Sequence, residues 1–246
     1  MPRPAYRTRT ARAIAAREVL SRRTILGVAM AGAAALWLAS PNARAQDSAT
    51  QMPADAPTMA TEPGMERAIF AGGCFWCVES DFDKVKGVKS TVSGYIGGSN
   101  DNPTYENHTS AGHREAVEIV YDPGEVTFNE LLDVFWTSVD PTDGGGQFCD
   151  RGFSYTTAVY AVDAEQLEAA KASVDEYAGK LDKPIVTEIV EAPTFWPAED
   201  YHQDYYSKNP IRYNFYRRAC GRDGTVEDVW GKAAYSGLEA AKAKDS

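Results

Sequence analysis

Residues 67–73, RAIFAGG, form a short apolar run that ends in two glycines, and the period then changes. Phe75, Val78, Phe82 and Val85 recur at helical spacing in CFWCVESDFDKV. A strand stopped by Gly72 and Gly73 and followed at once by a helix must turn tightly. Cys74 therefore falls at the helix start, with Cys77 one turn further along and two large aromatics, Phe75 and Trp76, between them. The pair is open to three readings: a redox couple, a metal clamp, or a nucleophile in an aromatic pocket.

The rest of the chain continues in the same alternation. Strands are expected at VKSTVSGYIGG, REAVEIVYDPG, YTTAVYAV and PIVTEIVEA. Between them lie a helix in VTFNELLDVFWTSVD, with Thr127 and Glu130 at capping-box spacing, and an amphipathic helix in DAEQLEAAKASVDEYAGKL. Its apolar positions are Leu167, Ala170, Val174, Tyr177 and Leu181. Strands and helices joined by short links predict an α+β domain, a two-layer α/β sandwich whose strand order periodicity does not reveal. A chain of 246 residues with 43% hydrophobic content supplies a full core for one such domain.

The first 45 residues are of another kind. A basic region leads to Arg22 and Arg23, then to SRRTILGVAMAGAAALWLAS, and the segment closes on Ala43, Arg44 and Ala45. This reads as an export signal of twin-arginine type, cleaved after Ala45, with a membrane anchor at residues 24–40 as the alternative. Residues 46–65, rich in Ala, Thr, Pro and Met, read as a flexible linker, and residues 66–246 as the catalytic domain with a C-terminal extension. Eight of the 25 basic residues but only Glu18 of the 35 acidic ones lie in residues 1–45. The remainder then has 17 basic against 34 acidic side chains, a formal charge of −17. Nucleic acid and anionic membrane are poor partners for such a surface, and a neutral substrate or a protein partner fits better.

A thiol in the first turn of a helix meets the positive end of the helix dipole, which favours thiolate and makes Cys74 the better nucleophile of the pair. In REAVEIVYD, Glu115, Val117, Ile119 and Tyr121 share one strand face. A carboxyl at the end of that apolar face is expected to be partly buried and easily kept protonated, a candidate general acid. Pairing with a Lys or Arg is the alternative. The glycine-rich loop GGGQFCDRGFSYTT brings Cys149, Asp150 and Tyr155 to the start of a strand, and such loops commonly carry sites.

Five ordered stretches, GCFWCVE, SGYIGG, PTYENHTSAGHREAVEIVYDP, LLDVFWTSVDPTDGGGQFCDRG and FWPAEDYHQDYY, closely resemble peptide methionine sulfoxide reductase A, over about residues 69–230. The resemblance implies that family's fold, with a ferredoxin-like core. It also implies thiol-dependent reduction of methionine S-sulfoxide in proteins or as the free amino acid, a repair activity. Cys74 would be the nucleophile, Phe75 and Trp76 the walls that receive the substrate methyl group, and Glu115 the acid that protonates the sulfoxide oxygen. Tyr95 and Tyr155 would donate hydrogen bonds, Asp150 would support the site through water, and His202 would lie near the pocket. No metal or organic cofactor is implied.

Attack leaves Cys74 as a sulfenic acid, which a second thiol must convert to a disulfide before an external dithiol reduces it. Cys77 and Cys220 are favoured as resolving thiols, with Cys149 behind them as a buried neighbour. The expected reductant is a thioredoxin-like protein on the exported side of the membrane, with no stable membrane association after signal cleavage. Two positions depart from the family pattern: Arg114, where a small residue is usual, and Thr156, where an Arg is common.

Other classes fit less well. A general thiol–disulfide oxidoreductase has no need of Glu115, Tyr95 or Tyr155. A cysteine hydrolase would have to draw its base from His108, His113 or His202. A metal site would need paired ligand spacing, which the cysteines and histidines after Cys77 lack.

Overall fold

The computed structural model describes residues 61–243, so the expected export signal and most of the linker lie outside the described residues. In chain order come β1 (Glu66–Ala71), α1 (Phe75–Phe82), β2 (Val88–Ile96), β3 (Arg114–Tyr121) and α2 (Phe128–Trp136). A small hairpin, β4 (Gly146–Gln147) with β5 (Asp150–Arg151), leads to a 3-10 turn at Phe153–Tyr155. Then follow β6 (Ala158–Ala161), α3 (Ala164–Ala178), β7 (Glu188–Glu191) and β8 (Phe195–Pro197). Helices α4 (Tyr205–Lys208), α5 (Pro210–Cys220), α6 (Arg222–Trp230) and α7 (Ser236–Ala243) close the described residues.

The main sheet has the order β7-β6-β1-β3-β2-β8. β1 and β2 both run antiparallel to β3, which lies between them, so they are parallel to each other and α1 is their crossover. β6 returns antiparallel to β1 after α2, giving the interleaved βαβ–βαβ arrangement of a ferredoxin-like core. β7 adds to β6 in parallel and β8 to β2 antiparallel. Phe70, Phe82, Phe135, Trp136 and Trp230 belong to the large core under the helices, while the other sheet face carries a smaller cluster around Ile69, Ile96, Tyr160 and Phe195.

Local signals set the helices that were expected. Thr127 Oγ1 accepts from the Glu130 amide at 3.3 Å and Glu130 Oε2 from the Thr127 amide at 2.9 Å, closing the capping box. Asp163 caps α3 through the Gln166 amide at 2.8 Å. The strand expected over residues 155–162 is shorter, because Tyr155 is drawn into the 3-10 turn before pairing begins at Ala158. β3 is buried on both faces rather than one, since it sits between two strands with apolar clusters on either side.

The segment after β8 is held by a glutamine amide. Gln203 accepts from the Ser93 amide and donates to the Ser93 and Ala198 carbonyls, each at 2.9 Å, so its side chain continues the β2 ladder. The next residue, Asp204, is left-handed at φ +53° and gives its amide to the buried Glu79 of α1 at 3.1 Å. These two clamps fix His202 against α1. Further on, Arg217 of α5 forks onto Asp81 of α1 at 3.0 and 3.3 Å, and the buried Arg222 donates to the Gly72 and Ser138 carbonyls.

Candidate active site

Cys74 is the N-cap of α1, 7% exposed, and its side chain makes no cap hydrogen bond. The orphan amide of Phe75 is capped from a distance instead: it donates to Glu115 Oε2 at 3.0 Å. Gly73 makes the approach possible at φ +85°, where an added Cβ would lie 2.7 Å from Gln147 Cβ. The strand-to-helix turn and the acid on β3 thus form one unit, although 40 residues separate Phe75 from Glu115.

Glu115 is 2% exposed, and burial pushes its carboxyl up to about 8 against the pull of the Phe75 amide, with the charges of Asp150 and Cys77 adding to the rise. It is therefore mostly protonated at neutral pH. The alternative of a Lys or Arg partner falls to Glu118, which pairs with Arg67 at 2.8 Å. The ionisable group beside Glu115 is His108, at 3.9 Å. His108 is held neutral by burial, its Nδ1–H donates to the Tyr105 carbonyl at 2.8 Å, and Nε2 accepts from Thr109.

The two thiols divide their roles differently from the expectation. Burial raises Cys74, with the hydrogen bond and charge of Cys77 and the charge of Glu115 adding to it. The hydrogen bond from Cys74 lowers Cys77 against burial, aided by the guanidinium charges of Arg222 and Arg217. The helix N-terminus alone does not decide where the negative charge rests; the hydrogen bond from Cys74 and then the two arginines favour Cys77.

Asp150 Oδ2 accepts a very short hydrogen bond from Tyr216 of α5 and lies 3.7 Å from Cys220 Sγ. Burial raises its carboxyl while the Tyr216 hydrogen bond opposes the rise. Tyr216 also favours the thiolate of Cys74, weakly against its burial. The Tyr155 hydroxyl favours the charged form of Glu115, a smaller effect that opposes the rise. Tyr95, expected to donate to the substrate oxygen, donates here to Glu199 Oε2 at 2.9 Å. Glu199 is held below its ordinary range because, against burial, the Tyr105 amide and the Tyr95 hydroxyl stabilise its charge.

Phe75 and Trp76, the expected methyl-group walls, are close together but covered. Phe75 is 1% exposed, and the Trp76 ring stacks on Tyr205 at 3.8 Å with Tyr216 edge-on at 5.8 Å. Trp76 Nε1 donates to His202 Nδ1 at 3.1 Å, so the neutral His202 carries its proton on Nε2, which is buried without a hydrogen bond and faces Glu199 Oε2 at 3.9 Å.

Cys149 and Cys220 form a disulfide, S–S 2.06 Å, while Cys74 and Cys77 are free and buried. The expectation of Cys149 as a buried neighbour is corrected: it is exposed, because the β4–β5 hairpin carries it to the surface. Tyr216, Glu199, Tyr105 and Arg222 went unnoticed in the sequence. The signals were present, Tyr216 one helical turn before Cys220 and Glu199 three residues before His202, but neither is specific alone.

The family model for peptide methionine sulfoxide reductase matches residues 66–234. The chain is 56% identical over 182 residues to the peptide methionine sulfoxide reductase MsrA 2 of Rhizobium meliloti (strain 1021), covering 74% of this chain and 91% of that protein. To the MsrA of Bacillus subtilis (strain 168) it is 48% identical over 170 residues, covering 68% and 96%. Among solved structures, methionine sulfoxide reductase A of Corynebacterium diphtheriae is similar at 38% identity and TM-score 0.59, over 61% of this chain and 77% of that one. Reduced Mxr1 of Saccharomyces cerevisiae is similar at 27% identity and TM-score 0.60, over 63% and 91%.

Proposed function

The chain belongs to the peptide methionine sulfoxide reductase family, and on that premise we propose how its own residues carry the reaction. It reduces methionine S-sulfoxide by a thiol route. The observation that carries the assignment of roles is the buried Glu115 carboxyl, hydrogen-bonded to the amide next to Cys74 and held protonated to about pH 8. A sulfoxide sulfur resists attack until its oxygen takes a proton or a strong hydrogen bond. Glu115 supplies the proton and Tyr155 the hydrogen bond. Tyr95, tied to Glu199, orients that acid's surroundings, and Phe75, Trp76 and His202 shape the slot for the methyl group. Asp150 supports the site through Tyr216.

Cys77 accepts the Cys74 proton as the nucleophile attacks, which its place opposite Arg222 and Arg217 supports. Oxygen passes to Cys74, methionine leaves, and Cys74 becomes a sulfenic acid. The Cys77 thiol displaces that hydroxyl as water and forms a Cys74–Cys77 disulfide. Both of those sulfurs are buried, whereas Cys149 is exposed, so a macromolecular reductant meets Cys149 more readily. Thiol–disulfide exchange with the Cys220 and Cys149 dithiol returns Cys74 and Cys77 to thiols and leaves the Cys149–Cys220 disulfide, exposed at Cys149, for a thioredoxin-like dithiol. The test is single turnover on a peptide containing methionine S-sulfoxide, with disulfides mapped by mass. Cys74→Ser should form no methionine, and a Cys149→Ser/Cys220→Ser variant should form about one per chain, retain Cys74–Cys77 and stop. Methionine formation by Cys74→Ser would overturn the assignment, and a Cys149→Ser/Cys220→Ser variant that recycles normally would overturn the relay.

The export reading extends this proposal. The basic region, the apolar run and the small-residue site at Ala43, Arg44 and Ala45 support a periplasmic or otherwise exported enzyme repairing oxidised proteins there. Among the described residues no helix is long and apolar enough to cross a membrane. Cell fractionation with N-terminal sequencing tests it: a mature chain beginning at Gln46 supports cleavage, a membrane-bound chain retaining residues 24–40 supports the anchor, and a full-length cytosolic enzyme refutes export.

A further inference from the structure

Arg114 stands beside Glu115 on β3 but faces the opposite side of the sheet, 4% exposed. Its guanidinium is fully engaged. Nε donates to Thr156 Oγ1 at 2.8 Å, Nη1 to the Tyr160 hydroxyl at 2.9 Å, and Nη2 pairs with Glu188 at 3.0 Å. Its flat face lies 4.2 Å from the centre of the Phe153 ring.

These contacts bracket Tyr155. Phe153 lies two residues before it and Thr156 one after, and Thr156 Oγ1 in turn donates to the Phe153 carbonyl at 2.7 Å. The turn between them is closed by backbone bonds from the Tyr155 amide to Gly152 at 3.1 Å and from the Thr156 amide to Phe153 at 3.0 Å. It is entered through Gly152 at φ +112°, a conformation that offers no restraint of its own. On the other sheet face Ser154 reaches Thr109 at 3.2 Å, and Thr109 reaches His108 at 3.1 Å. Arg114 therefore braces the turn that carries Tyr155 from both of its ends, through Phe153 and Thr156.

We propose that Arg114, acting through Thr156 and the Phe153 ring, is a positioning residue that fixes the Tyr155 hydroxyl against Glu115 for the sulfoxide oxygen. The inference rests on Tyr155 being the donor in the proposed reaction. A planar, multiply bonded guanidinium suits the task because it holds a direction as well as a distance, which an ammonium on a flexible stem does not. A donor displaced by about 1 Å loses much of its effect on charge developing at the oxygen. Arg114 touches neither substrate nor reacting sulfur, so its contribution should appear in kcat and depend on Tyr155.

The experiment is a double-mutant cycle on a peptide substrate, with kcat and KM measured separately. The variants are Arg114→Lys, Thr156→Val and Tyr155→Phe, alone and with each of the first two combined with the third. Tyr155→Phe should lower kcat by about 100-fold. Arg114→Lys should lower it by about 10-fold with KM within about 2-fold, and Thr156→Val by a smaller factor in the same direction. In the Tyr155→Phe background, Arg114→Lys and Thr156→Val should each change kcat by less than about 2-fold. Thr156→Val keeps the Arg114 charge and its pairing with Glu188, and carries the test should Arg114→Lys fold poorly. Losses that multiply would overturn the action of Arg114 through Tyr155 while leaving the donor role standing. Full activity in Tyr155→Phe would overturn the donor role, and the inference with it.

Discussion

Replacing Glu115 with Gln separates the cost of its burial from its use in catalysis. A carboxyl whose proton is held to about 8 instead of its ordinary 4.5 is more stable protonated in the folded chain than in the unfolded one. The stability this contributes is fully present below pH 4.5 and is lost as pH rises towards 8. From about pH 5.5 to about pH 8.5 the loss amounts to about 3 kcal/mol, and Glu115 is buried enough that solvent screening does not reduce it. Glu115→Gln keeps the shape and can still accept from the Phe75 amide, but it has no proton to lose. The difference in unfolding free energy between Glu115→Gln and wild type, measured by urea titration with the Cys149–Cys220 disulfide intact in both, should therefore shift by about 3 kcal/mol in favour of the variant over that range. Its turnover should fall by about 100-fold or more, and wild-type turnover should decline above about pH 8 as the acid loses its proton. A stability difference that stays constant with pH would refute the claim that Glu115 is buried and protonated.

Two further perturbations probe the frame around the site. Gly94→Ala would set a Cβ 2.3 Å from Phe195 Cζ and 2.4 Å from the Trp196 carbonyl oxygen, prising β8 from β2. It should cost about 1–3 kcal/mol by urea titration and lower kcat/KM, because His202 is placed through that edge. Asp81→Asn removes the buried charge that Arg217 grips at 3.0 and 3.3 Å and that Arg222 approaches at 3.9 Å. It should cost about 3 kcal/mol and raise the Cys74 alkylation rate as α5 loosens from α1; an unchanged unfolding midpoint would show the network to be dispensable.

What the sequence determined by itself was local. The glycine turn into α1 and the capping box at Thr127 and Glu130 depend on residues within a few positions of one another, and both were legible. Residue type and spacing alone left the Cys74–Cys77 pair open to three readings, and the resemblance of the ordered stretches around Cys74, Glu115 and Cys149 to a known family selected among them. The tertiary structure decided everything that depends on surroundings. Two sheet neighbours and two apolar clusters bury β3 on both faces, which neither strand period nor composition records. Glu115 stays protonated because burial in a closed space outweighs the pull of the Phe75 amide, whereas Glu118, three residues along the same strand, pairs with Arg67. The preference for charge on Cys77 comes first from the hydrogen bond that Cys74 gives it and then from arginines on α5 and α6, far along the chain. The pairing of Cys149 with Cys220 spans 71 residues and depends on where a hairpin and a helix end come to rest. Desolvation and proximity sum over elements that are distant in sequence, so they exist only once the chain has folded.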